Sequence, residues 1–390
     1  MLENPLYMGG PLDRFPAEAH TGSCTRPWCA SQLVAADARS SRRRDVEAVP
    51  SGVFIGRWNP DQEMRRNMAV QCDLCPKGCV IEPSQSGECR VRINLDGRLT
   101  AVTYGYPCAV HVDPVEKKPM FHFLPGTRAF SIATVGCNLH CKNCQNWEIS
   151  QENPENQTAY PLPPEDIPAR AKEHDCLSIA YTYTDPVVYY EYTFDSCVQA
   201  RDAGLKNILV TAGYINKAPL EKLCAHVDGA NIDLKAFSDA FYRDICGATL
   251  KPVLDALVLA KSLGVLVEVT NLVIPTLNDS DDDLRNLCRW IAANLGHETP
   301  LHFSQFHPDY RMTNLPPTPP ETLDRAKAIA GSEGLYHVYI GNITRPDAGN
   351  TYCHQCGALL IERKWFAVVQ NNLRSGKCPK CGAEVYGIWS

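Results

Sequence analysis

Seven short apolar runs recur between residues 126 and 345, each separated from the next by an amphipathic segment. They are AFSIATV (129–135), LSIAYTY (177–183), KNILVTA (206–212), ANIDLKA (230–236), VLVEVTNLVI (265–274), LHFSQF (301–306) and YHVYIG (336–341). Runs of this length, bounded by turn residues, read as buried strands. The intervening segments carry helix signals. One starts at Asp185-Pro186, with Pro at its first position, and ends near Gly204. Another spans Leu250 to Leu263 and stops at Gly264. A third opens at Asp279-Ser280 with Asp281, Asp282 and Asp283 in its first turn and closes at Gly296. Acids at the start and Gly just past the end suit the helix dipole and a left-handed cap. Such β-α alternation predicts a parallel sheet with right-handed crossovers. With fewer than eight units, the expected fold is α/β, a partial TIM-like (β/α)6 barrel whose function gathers at the C-terminal strand ends.

The cysteines add a second constraint. Eleven of the chain's 19 fall into three tight groups: Cys72, Cys75, Cys79 and Cys89; Cys137, Cys141 and Cys144; and Cys353, Cys356, Cys378 and Cys381. The start, MLENPLYMGGPLDRFP, lacks a basic region and an apolar run, so no secretory signal is expected and a cytoplasmic location is. In that setting grouped cysteines read as metal ligands rather than disulfides. The other eight, Cys246 among them, read as small core residues. The groups divide the chain into an extension (1–55), a Cys-rich module (56–125), the barrel (126–345) and a zinc-ribbon-like module (346–390). Net charge is −6, which argues against a nucleic-acid partner. The basic run Arg42-Arg43-Arg44 is short and meets Asp45, as in a solvated segment. No apolar stretch approaches a membrane span.

The loop GCNLHCKNC (136–144) directly follows the first strand, with spacing C-x3-C-x2-C. Three thiolates would hold three irons of a [4Fe-4S] cluster and leave the fourth open, as catalysis requires. S-adenosylmethionine could chelate that iron through its amino and carboxylate groups, and one electron would then cleave its C5′–S bond. A zinc knuckle with a distant fourth ligand is the alternative. The C-terminal knuckles CHQCG and CPKCG suit a closed tetrahedral zinc, with a rubredoxin-like iron or an auxiliary cluster as alternatives. The N-terminal spacing C-x2-C-x3-C-x9-C can close around zinc, the preferred reading, or around an auxiliary Fe–S cluster. Lys117 and Lys118 in VEKKP read as a solvated turn, with an anion-binding role as the minor reading.

The stretch HVDPVEKKPMFHFLPGTRAFSIATVGCNLHCKNCQNWEIS resembles the radical SAM component of the AmmeMemoRadiSam system, a family related to pyruvate formate-lyase activating enzymes. YTYTDPVVYYEY, EVTNLVIPTLNDS, PLHFSQFHPDYRM and YIGNI are similar to it too, so the resemblance spans about 70 to 390. It implies a radical SAM oxidoreductase that abstracts hydrogen from a substrate, with Cys137, Cys141 and Cys144 on the cluster. It places Asn143 and Gln145 near the adenosyl group. Asp185 stands where relatives carry a Glu for the SAM amino group; a helix-capping role for Asp185 competes. Asp233 and Lys235 would meet the ribose or the methionyl carboxylate, and an ordinary strand-end ion pair competes there. Asn271 and Gln305 would contact the cofactor, with Asn271 pointing into the barrel mouth. His307, Tyr310 and Arg311, at the end of the sixth strand, are substrate-side candidates. A flavodoxin or ferredoxin would supply electrons, and Memo-like and AmmeMemo-type proteins would be partners. A glycyl-radical activase and a zinc-stabilised scaffold without chemistry are the competing functions.

Overall fold

The computed structural model describes residues 68–390. The expected extension, with Cys24, Cys29 and the arginine run, lies outside the described residues. Two small hairpins come first. β1 (Val70–Gln71) pairs with β2 (Val80–Ile81), and β3 (Arg92–Leu95) pairs with β4 (Arg98–Ala101). Asp96 and Gly97 turn the second hairpin with positive φ at both residues (52° and 76°), the combination a two-residue type I′ turn demands.

An eight-stranded sheet follows. β5 (Ala109–Pro114) runs antiparallel to β6 (Arg128–Ala133). From β6 onward the strands are parallel and stand in sequence order: β7 (Cys176–Tyr181), β8 (Lys206–Thr211), β9 (Gly229–Asp233), β10 (Leu266–Val273), β11 (Leu301–Gln305) and β12 (Val338–Gly341). All seven expected strands are present. β5 and β12 are the two ends of the strand order, so the barrel is open. β5 was not anticipated; the sheet begins inside the segment assigned to the N-terminal module. Six helices make the crossovers: α1 (Ile167–Glu173), α2 (Tyr190–Asp202), α3 (Lys217–Cys224), α4 (Leu250–Ser262), α5 (Asp281–Asn294) and α6 (Pro320–Ser332). Strands covered on both faces read as continuous apolar runs, and β10 has seven of its eight residues buried.

The caps explain where the helices stop. Gly204, Gly264 and Gly296 adopt φ of 78°, 86° and 92° just past α2, α4 and α5. Ser280 caps α5 by accepting from the Asp283 N–H at 3.2 Å. The start expected for α2 is wrong. It begins at Tyr190, not Pro186, because Val187–Tyr189 form a turn tied to the Asp185 carboxylate.

At the C-terminus β13 (Thr351–Tyr352), β14 (Leu359–Lys364) and β15 (Ala367–Asn371) form a small sheet. It is riveted to the barrel by Arg363, whose side chain is fully buried. The guanidinium donates to the carbonyls of Phe121 (2.6 Å) and Gly349 (2.9 Å), to Thr351 Oγ1 (2.8 Å) and to Glu116 Oε1 (3.4 Å). The chain end returns to the barrel, where Ile388 exchanges backbone bonds with His122 (2.8 Å) and Leu124 (2.7 Å). Among the described residues no helix is long and apolar enough to cross a membrane.

Candidate active site

The cluster loop leaves β6 at its C-terminal end. Gly136, just before Cys137, has φ of 97°, and a Cβ there would sit 2.6 Å from the Cys89 carbonyl and 2.7 Å from Val91. Only glycine fits. The loop is then pinned from two sides. His140 and Lys142 donate their backbone N–H to the carbonyls of Cys246 and Ile245, each at 2.9 Å, and Asn138 Nδ2 reaches the Tyr214 carbonyl at 2.8 Å. Cys246, expected to be a plain core thiol, is buried but lies in hydrogen-bond contact with Cys141. Some 100 residues separate the two in sequence, and no local signal links them. The Leu139 N–H points at Cys137 Sγ (3.4 Å), and Cys144 Sγ is 3.1 Å from Ser150 Oγ.

Cys137, Cys141 and Cys144 open onto a cavity of about 400 Å³ among the C-terminal strand ends. Cys246 is not on its wall. Of the residues expected to act there, Asn143, Gln145, Asp185, Asp233 and Lys235 line the same cavity. Asp185 is buried and already engaged. It accepts from Thr211 Oγ1 (2.9 Å), the Ala212 N–H (2.9 Å) and the Val187 N–H (3.1 Å). Burial raises its carboxyl, and these donors act against that rise. Lys235 Nζ pairs with Asp233 Oδ2 at 2.9 Å. Burial would lower Lys235, but Asp233 and the nearby thiols hold it above its ordinary value.

Five expected residues are not on the wall, and strand parity explains two of them. Thr270 and Leu272 face the cavity, so Asn271 between them points the other way and donates to the carbonyls of Leu234 (2.8 Å) and Lys235 (3.2 Å). His302 and Ser304 face the cavity, and Gln305 again points away, to the Thr318 carbonyl at 2.7 Å. His307 is exposed, 3.3 Å from the Asn342 carbonyl. The Tyr310 ring stacks on Trp147 at 5.2 Å, and Arg311 lies over Tyr310 at 5.0 Å.

The β5 side of the cavity holds what the sequence did not reveal. Lys117 and Lys118 are not a solvated turn. Both line the cavity and both pair with Asp113 of β5, at 2.9 Å and 2.6 Å. Lys118 and Asp113 are each 2% exposed. Burial pushes Lys118 down to about 8. Burial alone would raise Asp113, but Lys118, Tyr183 and Lys117 hold it well below the carboxylate range. Tyr183 donates its hydroxyl to Asp113 and places its ring 4.2 Å from Lys118 Nζ. His111 completes this end of the wall.

The two flanking quartets differ in spacing. In the C-terminal one, Cys353 and Cys381 sulfurs are 3.6 Å apart and those of Cys356 and Cys378 are 3.7 Å apart. Among the described residues, this is the only set of three or more His, Cys, Asp or Glu ligand atoms all within 4.8 Å of one another. No three of Cys72, Cys75, Cys79 and Cys89 are that close, and neither are the three loop cysteines.

A family profile described as the radical SAM superfamily matches residues 131–291. The chain belongs to that superfamily. An uncharacterized protein of Methanocaldococcus jannaschii is 48% identical over 318 residues, which is 81% of this chain and 95% of that one. The pyruvate formate-lyase-activating enzyme of Clostridium pasteurianum is 25% identical over 189 residues, covering 47% of this chain and 76% of its own. Among solved structures, a domain of the pyruvate-formate lyase-activating enzyme from Bacteroides vulgatus aligns with 42% of this chain and 99% of its own, at 14% identity and a TM-score of 0.39. Superfamily membership brings a [4Fe-4S] cluster, S-adenosylmethionine and the need for a reductant such as flavodoxin or ferredoxin.

The residues present suit those groups. The three loop sulfurs share one cavity without all standing within 4.8 Å of one another, so they are not gathered as a single ion would gather them, and three cysteine thiolates are the donor type an iron–sulfur cluster takes. Asn143 Oδ1 and Thr270 Oγ1 on the same wall are buried without a hydrogen-bond partner. Buried polar atoms left alone are costly and mark a place for a ligand.

Proposed function

We propose that the protein is a radical SAM oxidoreductase acting on a small, anionic organic molecule. One observation carries the reading: three loop thiols open onto a cavity whose wall also carries Lys117 and the buried Lys118. When bound, the cluster and S-adenosylmethionine supply a 5′-deoxyadenosyl radical that abstracts hydrogen from the substrate. The chain's own residues do the rest. Cys137, Cys141 and Cys144 ligate three irons. Asp233 and Lys235 pair at one strand end, where they would meet the ribose or the methionyl carboxylate. Asn143 and Gln145 flank the last cysteine for the adenosyl group. Asp185 orients the Thr211-Ala212 backbone and the turn before α2, so its role is positioning. Lys117 and Lys118 share one carboxylate, which leaves one net positive charge to attract a carboxylate or phosphate on the substrate.

Similarity to the Clostridium enzyme supports a second reading, activation of a glycyl-radical protein. That substrate is a polypeptide backbone, and a buried cationic wall does not favour it. The resemblance to the AmmeMemoRadiSam family supports Memo-like and AmmeMemo-type partners and a cytoplasmic setting. The C-terminal quartet is read as structural zinc. Zn–S bonds of about 2.3 Å in a tetrahedron place sulfurs about 3.8 Å apart, close to the 3.6 and 3.7 Å found.

The test is anaerobic incubation with S-adenosylmethionine and dithionite, scoring 5′-deoxyadenosine. The intact protein should form it, and Cys141→Ala should not. Equal product from both would refute the role of the loop.

A further inference from the structure

The N-terminal quartet differs from the C-terminal one in the spacing of its sulfurs. Cys72, Cys75, Cys79 and Cys89 all line one small cavity, separate from the large one. The β1–β2 hairpin brings three of them together, the Cys72 N–H donating to the Cys79 carbonyl at 2.8 Å, and the segment before β3 adds Cys89. Gly87 permits the approach, since a Cβ there would come within 3.2 Å of Ile81 and 3.5 Å of Cys79 Sγ. The four thiols face one space, yet no three of them stand within 4.8 Å of one another, so they are not drawn around a single ion. A four-iron cubane fills the space between such sulfurs, whereas tetrahedral zinc would draw them together as at Cys353–Cys381.

We infer that Cys72, Cys75, Cys79 and Cys89 hold a second [4Fe-4S] cluster. The surroundings match that ligand. Arg92, also on the cavity wall, is 7% exposed and salt-bridged to Glu191 by two bonds of 2.7 and 2.9 Å. The Arg92 guanidinium, although paired with Glu191, also lies beside Cys72, where its N–H groups can support a thiolate ligand. Asn138, which lies between Cys137 and Cys141 in the cluster loop, forms part of the same wall, and its Oδ1 is buried without a partner. The N-terminal module also grips the barrel around this loop. The Asn216 N–H donates to the Leu74 carbonyl (3.0 Å), Asn216 Nδ2 to the Asp73 carbonyl (2.7 Å), and Lys77 Nζ to the Gly247 carbonyl (2.7 Å).

Four thiolates saturate the four irons, so this site offers no open position to a substrate. Its chemistry is one-electron transfer. A reduced flavodoxin or ferredoxin would be oxidised by one electron as the N-terminal cluster gained it, and the cluster held by Cys137, Cys141 and Cys144 would take up that electron as the N-terminal cluster was reoxidised. The proposal rests on the radical SAM reading only for the identity of that acceptor.

The test uses the full chain, reconstituted anaerobically with ferrous iron and sulfide, with iron, sulfide and zinc measured per chain. The wild type should hold about eight irons, together with zinc at the C-terminal quartet. A triple variant, Cys137→Ala, Cys141→Ala and Cys144→Ala, should keep about four irons, with an electron paramagnetic resonance signal that ignores S-adenosylmethionine. Cys72→Ser with Cys75→Ser should keep about four irons, with a signal that responds to it. That second variant should lose reduction by flavodoxin hydroquinone and retain reduction by dithionite. Zinc in place of iron at the N-terminal quartet, or a triple variant without iron, would overturn the second cluster. Unchanged reduction of the double variant by flavodoxin would overturn its role as carrier. A triple variant whose signal still responds to S-adenosylmethionine would instead overturn the loop assignment.

Discussion

The C-terminal quartet and the cluster loop are both cysteines on tight turns, and they are built to opposite ends. Around Cys353, Cys356, Cys378 and Cys381 the sulfurs stand 3.6–3.7 Å apart across the knuckles, on a small sheet with its own core of Leu360, Ile361 and Val385. Around Cys137, Cys141 and Cys144 the sulfurs stand farther apart and look into a cavity walled by ion pairs. Ligand number and spacing, rather than residue type, separate a closed site that holds a fold together from an open one that can take a substrate. Five experiments would break or sharpen that contrast.

The largest effect is expected at the open site. Cys141→Ala should abolish 5′-deoxyadenosine formation and leave C-terminal zinc in place. Loss of both metals together would show that the two regions are not independent. Next comes the closed site: Cys378→Ala should release zinc, and limited proteolysis should then cut within 346–390, because structural zinc sites contribute folding energy directly. An intact, protease-resistant segment without zinc would break the contrast. Third, Asp113→Asn strips the carboxylate shared by the lysines. Breaking a buried pair should cost about 3–5 kcal/mol, read by denaturant unfolding, while iron content stays unchanged.

The fourth experiment addresses the seam beneath the C-terminal module. His337 is pushed down to about 4, first by burial and then by His354. Between about 6.5 and about 4 the unfolded chain binds a proton that the folded chain does not. Stability therefore rises with pH across this window and falls as the pH is lowered, by at most on the order of 3 kcal/mol for this residue. Unfolding midpoints for His337→Gln should depend less steeply on pH than those of the wild type. The smallest effect is a control outside both regions: Ser280→Ala removes the α5 cap and should cost about 1 kcal/mol with no change in either metal.

The seven parallel strands were legible because strands buried on both faces cannot avoid being apolar runs. β5 was not. Its sequence, AVHVDP, carries Ala109 and His111 toward the cavity, buries only the charged Asp113 and leaves its first four residues half-buried, so it resembles a loop. Asn271 and Gln305 failed for a different reason. The pattern places a polar residue on a strand but not its parity, and both sit one position from residues that face the cavity. Lys118 was misread because its burial depends on a partner five residues earlier, on a strand that was itself missed. Cys246 meets Cys141 only through the tertiary fold. Local spacing shows which cysteines stand together but not what they hold, and what needs two distant segments side by side is not written in it at all.

The central claim is that the Cys137–Cys141–Cys144 loop holds a cluster with one iron left for S-adenosylmethionine. Electron–nuclear double resonance on the reduced protein, with S-adenosylmethionine labelled with ¹⁵N at its amino group, tests this directly. The account predicts a hyperfine coupling between the label and the cluster, lost in Cys141→Ala. A wild-type cluster signal with no coupling to the label at saturating S-adenosylmethionine would contradict it.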